Sequence, residues 1–528
     1  MQQFSFDFGD PVFEIEGWRL SLQVITFENT YGIPPPSVTR TPDGATASAG
    51  HLTWAGGQRT GEGAASISIA RTEDGIEATI SATAPSRIRC TKVVVSGLPA
   101  GELLGHRWTR GAVTRGGTTV HYPGTTHTPL IFLALPDGEH LYFESLDDRV
   151  RAKRFAVMQR DDGVAVELIH EEAAYEMAAS VTAPAWRIGR TRDPGAVVRR
   201  HDARVAAAFG IEPWETRADV PAWAREISLV VALHGMHWSG YTFNTYDDMA
   251  AALRFVAARI DGRRVLAFLP GWEGRYYWQY GDYRPEPLLG GAEGFARLAA
   301  TAREVGAYLM PMFGAHCANT GAPGYDEWGR PAELRAPSGL AFQGNRPDWD
   351  VSRGRDPGWQ AWLNPGAPSW RARLVDQASA LITAHDLPAA FFDTTHVWQN
   401  DPRHDVYGGL VALRDELKAR FPDLLIAGEG WYDALGAVTP MTHQFEGLPA
   451  QWPEAYARSN RYWLHLSAGD PSRNSSGVHE AGEVPFRLAP DEPHVIPTLT
   501  VVDGTIAHAP DAVERVIAQA AAYARRWL

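Results

Sequence analysis

The sequence predicts an α/β protein in which a (β/α)8 TIM barrel is preceded by an antiparallel β-sandwich domain. Three observations predict it. Up to about Gly189, short runs alternate apolar and polar residues and are punctuated by turn residues, the pattern of many short antiparallel strands. Beyond Ala222, short apolar runs alternate with amphipathic stretches, which is how parallel strands joined by crossover helices read. The 528 residues exceed one ordinary domain but suit a barrel of about 250–300 residues with a companion. The expected boundaries are 1–190 for the sandwich, 191–221 for a helical linker and 222–528 for the barrel.

In the first part, Ile67–Ala70, the turn Asp74-Gly75 and Ile76–Ile80 read as a hairpin. Phe155–Val157, Asp162-Gly163 and Val164–Ile169 read as another. His121 and His170 fall in this region, where a lone strand histidine is more often structural than functional. Asp193 to Gly210 has Ala and Val on one side and Arg on the other, a helix that the Pro-rich stretch from Pro213 to Pro221 ends.

The barrel strands then follow in turn. Ile227–Leu233 is the first, before a helix from Asp248 to Ile260, and Val265–Leu269 the second, before a helix from Glu293 to Val305. Ala307–Met312 is the third; after a long excursion a helix opens at Ser369, a candidate N-cap, with Trp370, Leu374, Ala378, Leu381 and Ile382 at helical spacing. Pro388–Phe392 is the fourth, running into Asp393, and a helix from Tyr407 to Arg420 leads to the fifth, Asp423–Gly428, running into Glu429. Met441–Phe445, Tyr462–Leu466 and Val495–Val502 supply the last three, and Ala512 to Leu528 a closing helix.

Composition narrows the function classes. With 45% hydrophobic and 21% charged residues, the chain is globular. A net charge of -13 argues against nucleic acid, whose phosphates call for a basic face. No run reaches transmembrane length and the start lacks a signal-like apolar region, so no membrane partner and a cytoplasmic location are expected. Cys90 and Cys317 stand far apart, which leaves no thiolate metal cluster. Nineteen Trp, many beside Gly, Pro and Asp, suit the flat faces of sugars. Neither a cofactor nor a metal is expected, and oligomeric state is unreadable.

In a barrel, the chemistry gathers where the strands end. Strand one delivers His234, His237 and Trp238; strand two Trp272, Glu273 and Arg275; strand three His316. Strand four delivers Asp393 and His396, strand five Glu429 and Trp431, strand six His443, strand seven Asp470 and strand eight Asp503. Arg346 and Asp348 lie in the long stretch Ala318 to Pro368, which also holds Trp328, Trp349, Trp359 and Trp362. A carboxylate at a strand end often merely caps the next helix. Asp393 and Glu429 are different because each ends a deeply apolar run, and Gly428 and Gly430 are expected to leave room for a ligand.

Two facing carboxyls suit glycoside hydrolysis, one protonating the leaving oxygen and one attacking, or activating water at, the anomeric carbon. Trp431 beside Glu429 would exclude water, as an acid requires. Leu363–Arg371, Phe391-Phe392-Asp393 and Ile426–Gly430 together resemble bacterial barrel glycoside hydrolases with a β-sandwich ahead of the barrel, related to the endo-α-N-acetylgalactosaminidase and α-amylase types. The resemblance implies a retaining enzyme for α-linked sugars, with Asp393 as nucleophile, Glu429 as acid/base and Asp470 as the positional candidate for a transition-state stabiliser. Phe391 stands where the α-amylase type carries an Arg. The remaining strand-end residues are expected to bind a carbohydrate substrate.

Two other classes compete. His234, His237, His443 and Asp503 suggest a metal-dependent, amidohydrolase-like barrel, although the first pair is spaced H-x-x-H instead of H-x-H and no Lys stands at strand four. A non-catalytic carbohydrate-binding barrel is the third, since a fold does not guarantee activity.

Overall fold

A computed structural model describes residues 13–15, 18–105, 110–237, 240–275, 278–341, 360–444, 458–464, 491–502 and 504–528. They divide into two compact units. The described residues of one lie in Met1–Phe209 and Asn400–Arg403, those of the other in Gly210–Gln399, His404–Leu448 and Tyr456–Leu528.

The first unit contains a seven-stranded and a ten-stranded sheet, with antiparallel pairing throughout. In Gly75–Thr83 the residues Ile76, Ala78, Ile80 and Ala82 are buried and their neighbours are not, the alternation of a strand with one face on a core. Both expected hairpins form, Ala64–Arg71 with Gly75–Thr83 and Lys153–Arg160 with Gly163–Glu171. Leu20, Val93 and Phe155 of one sheet share a single core with Ile67, Ile80 and Trp186 of the other, and the Phe155 ring meets the Trp186 indole edge-on at 5.5 Å.

The second unit is built on parallel strands: β1 (Leu229–Leu233), β2 (Val265–Leu269), β3 (Tyr308–Gly314), β4 (Ala389–Asp393), β5 (Leu425–Glu429), β6 (Met441–Gln444), β7 (Arg461–Leu464), β8 (Val495–Ile496) and β9 (Thr498–Val501). Their order is β8-β7-β6-β5-β4-β3-β2-β1-β9. The two ends of this sheet are consecutive in the chain, parted only by Pro497, so it curls into a nearly closed barrel. The break follows from proline's missing N–H; its carbonyl still accepts from Val230 N at 2.9 Å. Every residue of β1, β2, β4 and β5 is buried, as expected of parallel strands covered on both faces. Phe268, Phe391 and His443, from alternate strands, fill one interior layer with Trp463, and the Phe268 and Phe391 centroids lie 4.5 Å apart.

Helices α1 (Tyr246–Ala257), α2 (Gly291–Val305), α3 (Pro368–His385), α4 (Val406–Arg420) and α5 (Pro510–Trp527) follow β1, β2, β3, β4 and β9. Thr245 and Asp248 form a capping box at the start of α1. The expected cap of α3 is different: Ala367 is the N-cap, Pro368 opens the helix, and Ser369 Oγ donates to Trp328 O at 2.9 Å. The long stretch before α3 is not structureless. Among its described residues it contains the antiparallel pair Cys317–Asn319 with Gln360–Trp362 and a helical turn at Tyr325–Trp328. Among the described residues no helix is long and apolar enough to cross a membrane.

Candidate active site

Asp393 and Glu429 end β4 and β5, which pair in parallel with Phe392 opposite Gly428. Strands so paired lie about 4.8 Å apart, which puts the two acids side by side at the barrel mouth. They are 4% and 7% exposed.

What joins them is the turn after Asp393. Thr394 has φ +63°, left-handed backbone that costs a β-branched residue about 1–3 kcal/mol. The reversal aims Thr394 N at Glu429 Oε2, 3.0 Å away. Thr395 Oγ1 donates to Glu429 O at 2.8 Å and accepts from Glu429 N at 2.9 Å. His396 N donates to the same carbonyl at 3.2 Å, and its Nδ1 lies 3.1 Å from that oxygen and 3.8 Å from Glu429 Oε2. Three consecutive residues after one acid therefore fix both the backbone and the carboxyl of the other.

The glycines flanking Glu429, expected to leave room for a ligand, make room for this clamp instead. A Cβ at Gly430, where φ is +68°, would stand 2.4 Å from His396 Cγ, and one at Gly428 2.5 Å from Thr395 Oγ1.

Tyr280 bonds to Asp393. Fully buried, it donates its phenol to Asp393 Oδ2 at 2.8 Å. No acid–base rule singles out such a tyrosine in sequence; only its place in the aromatic run after β2 hinted at it. Thr394 and Thr395 carried no sequence signal.

Glu273 lies in the same neighbourhood and is 1% exposed, and neither carboxyl oxygen meets a hydrogen-bond partner from another residue. Burial pushes its pKa well above the ordinary carboxylate range, and the charges of Asp393 and Glu286 add to the rise. Trp272 before it is wholly buried and donates its indole N–H to Met312 O at 2.8 Å, a packing anchor at this position. His316 is also fully buried. Its Nδ1 lies 3.2 Å from Leu363 O and its Nε2 has no partner. Burial carries its pKa down to about 3, with the neighbouring His396 contributing, so the ring is neutral.

Of the other candidates, His443 is the register partner of Glu429, and its carbonyl accepts from Gly430 N at 2.8 Å. The rings of His234 and His237, both buried, lie against Phe243. The Arg275 guanidinium sits 4.1 Å over the Trp278 ring. Trp431 is buried, and His443 is stacked on Trp463 inside the barrel. Trp328 and Trp362, expected as possible sugar platforms, are buried as well, and Trp328 stacks on Trp370. Trp238, Arg346, Asp348, Asp470 and Asp503, with Trp349 and Trp359, lie outside the described residues. Among the described residues no group of three or more His, Cys, Asp or Glu side chains is placed to hold a metal ion. A groove of about 800 Å³, lined by Trp223, Tyr308, Pro388, Arg420 and Leu424 among others, lies where the strands begin and includes neither acid.

No family profile matches the chain, and no curated protein sequence matches it. Solved structures do. The alpha-N-acetylgalactosaminidase NagBb from Bifidobacterium bifidum, in its GalNAc complex, aligns with a TM-score of 0.68 and 15% identity over 99% of this chain and 93% of that one. The galactosidase domain of the alpha-galactosidase-sucrose kinase AgaSK aligns with a TM-score of 0.53 and 12% identity over 99% and 74%. The alpha-galactosidase AgaA from Geobacillus stearothermophilus, in complex with raffinose, aligns with a TM-score of 0.52 and 13% identity over 99% and 75%. At such identities the likeness is one of fold.

Proposed function

We propose that the chain is a retaining glycoside hydrolase for α-linked sugars, with Asp393 as nucleophile and Glu429 as general acid/base. The observation that carries this reading is the pair of buried carboxyls on adjacent strand ends, held by Thr394 N–H on Glu429 Oε2. Paired carboxyls at a barrel mouth perform double displacement when one attacks and the other first gives and then recovers a proton. The fold likeness to alpha-N-acetylgalactosaminidase and alpha-galactosidases supports galacto-configured α-glycosides as the substrates to try first. In the same reading β8 and β9 count as one strand, which makes the barrel (β/α)8.

In the proposed first step Asp393 bonds to the anomeric carbon as the glycosidic C–O bond breaks, and the leaving oxygen takes the proton of Glu429. Water, deprotonated by Glu429, then releases the sugar with its α configuration kept. Glu273 and neutral His316 are the proposed contacts for sugar hydroxyls, because each keeps a buried polar atom without a partner.

The test is a screen of 4-nitrophenyl α-glycosides, the first-formed anomer being read by proton NMR. Asp393→Asn is expected to abolish turnover, and Glu429→Gln to slow it by about 10²–10⁴-fold for substrates whose leaving group needs a proton. Undiminished rates in Asp393→Asn, a β-anomeric first product, or no turnover of any glycoside by the native protein would sink the reading.

A further inference from the structure

The end of β3 is shaped around Tyr280. Gly314, its last residue, is the register partner of Asp393. A Cβ there would stand 2.2 Å from Tyr280 Cδ2 and 2.5 Å from Cε2, closer than any side-chain atom tolerates, so the ring occupies the space a side chain would fill. From that place the phenol reaches Asp393 Oδ2.

The ring is also held from behind. Tyr280 O accepts from Asn319 N at 3.0 Å. Tyr283, with its ring centroid 5.7 Å from that of Tyr280, accepts from Gly314 N at 2.6 Å, and its own N donates to Gln377 Oε1 at 2.8 Å. One bare glycine thus serves two tyrosines, its missing side chain admitting Tyr280 and its N–H fixing Tyr283.

We infer that Tyr280 is a positioning residue for Asp393, holding Oδ2 so that Oδ1 meets the anomeric carbon and stabilising the carboxylate again when it departs. This rests on the reading of Asp393 as nucleophile. Throughout, Tyr280 keeps its proton. In the second step water attacks the anomeric carbon, the bond from that carbon to Asp393 Oδ1 breaks, and its electron pair returns to the carboxylate. A donor already aimed at Oδ2 favours that returning charge, since hydrogen bonds to ionised groups are the stronger ones. Loss of the donor therefore weighs most on release of the sugar from Asp393.

The experiment compares Tyr280→Phe with the native protein on an activated 4-nitrophenyl α-glycoside that the native protein turns over. Losing a hydrogen bond to a charged group corresponds to about a 10- to 100-fold drop in kcat. KM is expected to fall with kcat, and mass spectrometry of the acid-quenched variant to find the sugar on Asp393. A merely structural role would not produce that split. Unchanged kcat and KM, or a loss of kcat with KM unchanged or raised and no trapped sugar, would overturn the inference. Gly314→Ala, which keeps the tyrosine but displaces its ring and so draws the phenol away from Asp393, is expected to show the same split. Asp393→Asn run beside them separates the two claims: an active Asp393→Asn removes the nucleophile reading itself, whereas a dead one with a normal Tyr280→Phe removes only the role of Tyr280.

Discussion

Glu273 shows how much a single side chain can cost. Its ordinary pKa of 4.5 is raised by burial in the fold. The contribution is therefore fully present below 4.5 and is lost as pH rises toward the folded value, because the unfolded chain gives up the proton first. Glu273→Gln removes the titration, so its thermal midpoint is expected to match the native protein near pH 4 and to exceed it increasingly toward pH 7, by about 1–2 °C for each kcal/mol recovered. Calorimetry at three pH values checks this, and an equal difference at every pH would contradict it. Asp393 and Glu429 were legible in the sequence because a charge is costly beside a buried apolar run, so an acid that abruptly ends one stands out. The left-handed Thr394, the phenol on Asp393 and the occupied space over Gly428 and Gly430 were not. They depend on which loops meet, and no local pattern encodes that.

At the scale of elements, α3 ends on Asp386 with φ +53°. The exposed carboxylate takes the left-handed cap that glycine adopts without strain, and it does so at the negative end of the helix. Asp386→Gly is expected to stabilise the protein by about 0.5–1 kcal/mol, read as a higher urea midpoint with an unchanged m-value. Strands and helices of the second unit were readable because most of its buried parallel strands are short continuous apolar runs, and even β6 and β7, which are not, begin within a residue of the weaker candidates Met441–Phe445 and Tyr462–Leu466. The cap of α3 was misplaced by two residues since Pro368 pre-sets the first turn and Ser369 finds a carbonyl elsewhere. The pair Cys317–Asn319 with Gln360–Trp362 escaped notice because its halves are far apart in sequence and only three residues long.

Across the whole molecule, three carboxyls of the first unit, Asp147, Glu144 and Glu172, titrate in the opposite sense to Glu273. Burial alone would raise Asp147, but Lys153, 2.7 Å away and wholly buried, together with Arg151 and His170, pulls its pKa far below the ordinary range. Glu144 and Glu172 are lowered in the same way, against burial, with His201 and His170 the leading partners. A lowered carboxyl contributes stability above its unfolded pKa and loses it as pH falls through the folded value. Asp147→Asn takes from buried Lys153 and Arg151 the carboxylate they share and is expected to cost about 3–5 kcal/mol near pH 6, a deficit that shrinks toward pH 2 in calorimetric scans. The division into antiparallel and parallel halves was legible from the change of period near Ala222, whereas this ionic network was not, since its members are scattered along the chain. The break at Pro497 has a consequence for how the molecule comes into being. The barrel is a ring whose clasp is the segment Val495–Val501, and until that segment docks, Val230 on one side and Tyr462 on the other present open edges. Such edges recruit foreign strands, and a clasp so distant in sequence from the strand it meets closes slowly. Assembly is therefore exposed to its greatest hazard just before the ring shuts, and the mouth that holds Asp393 and Glu429 takes its final shape only when it does.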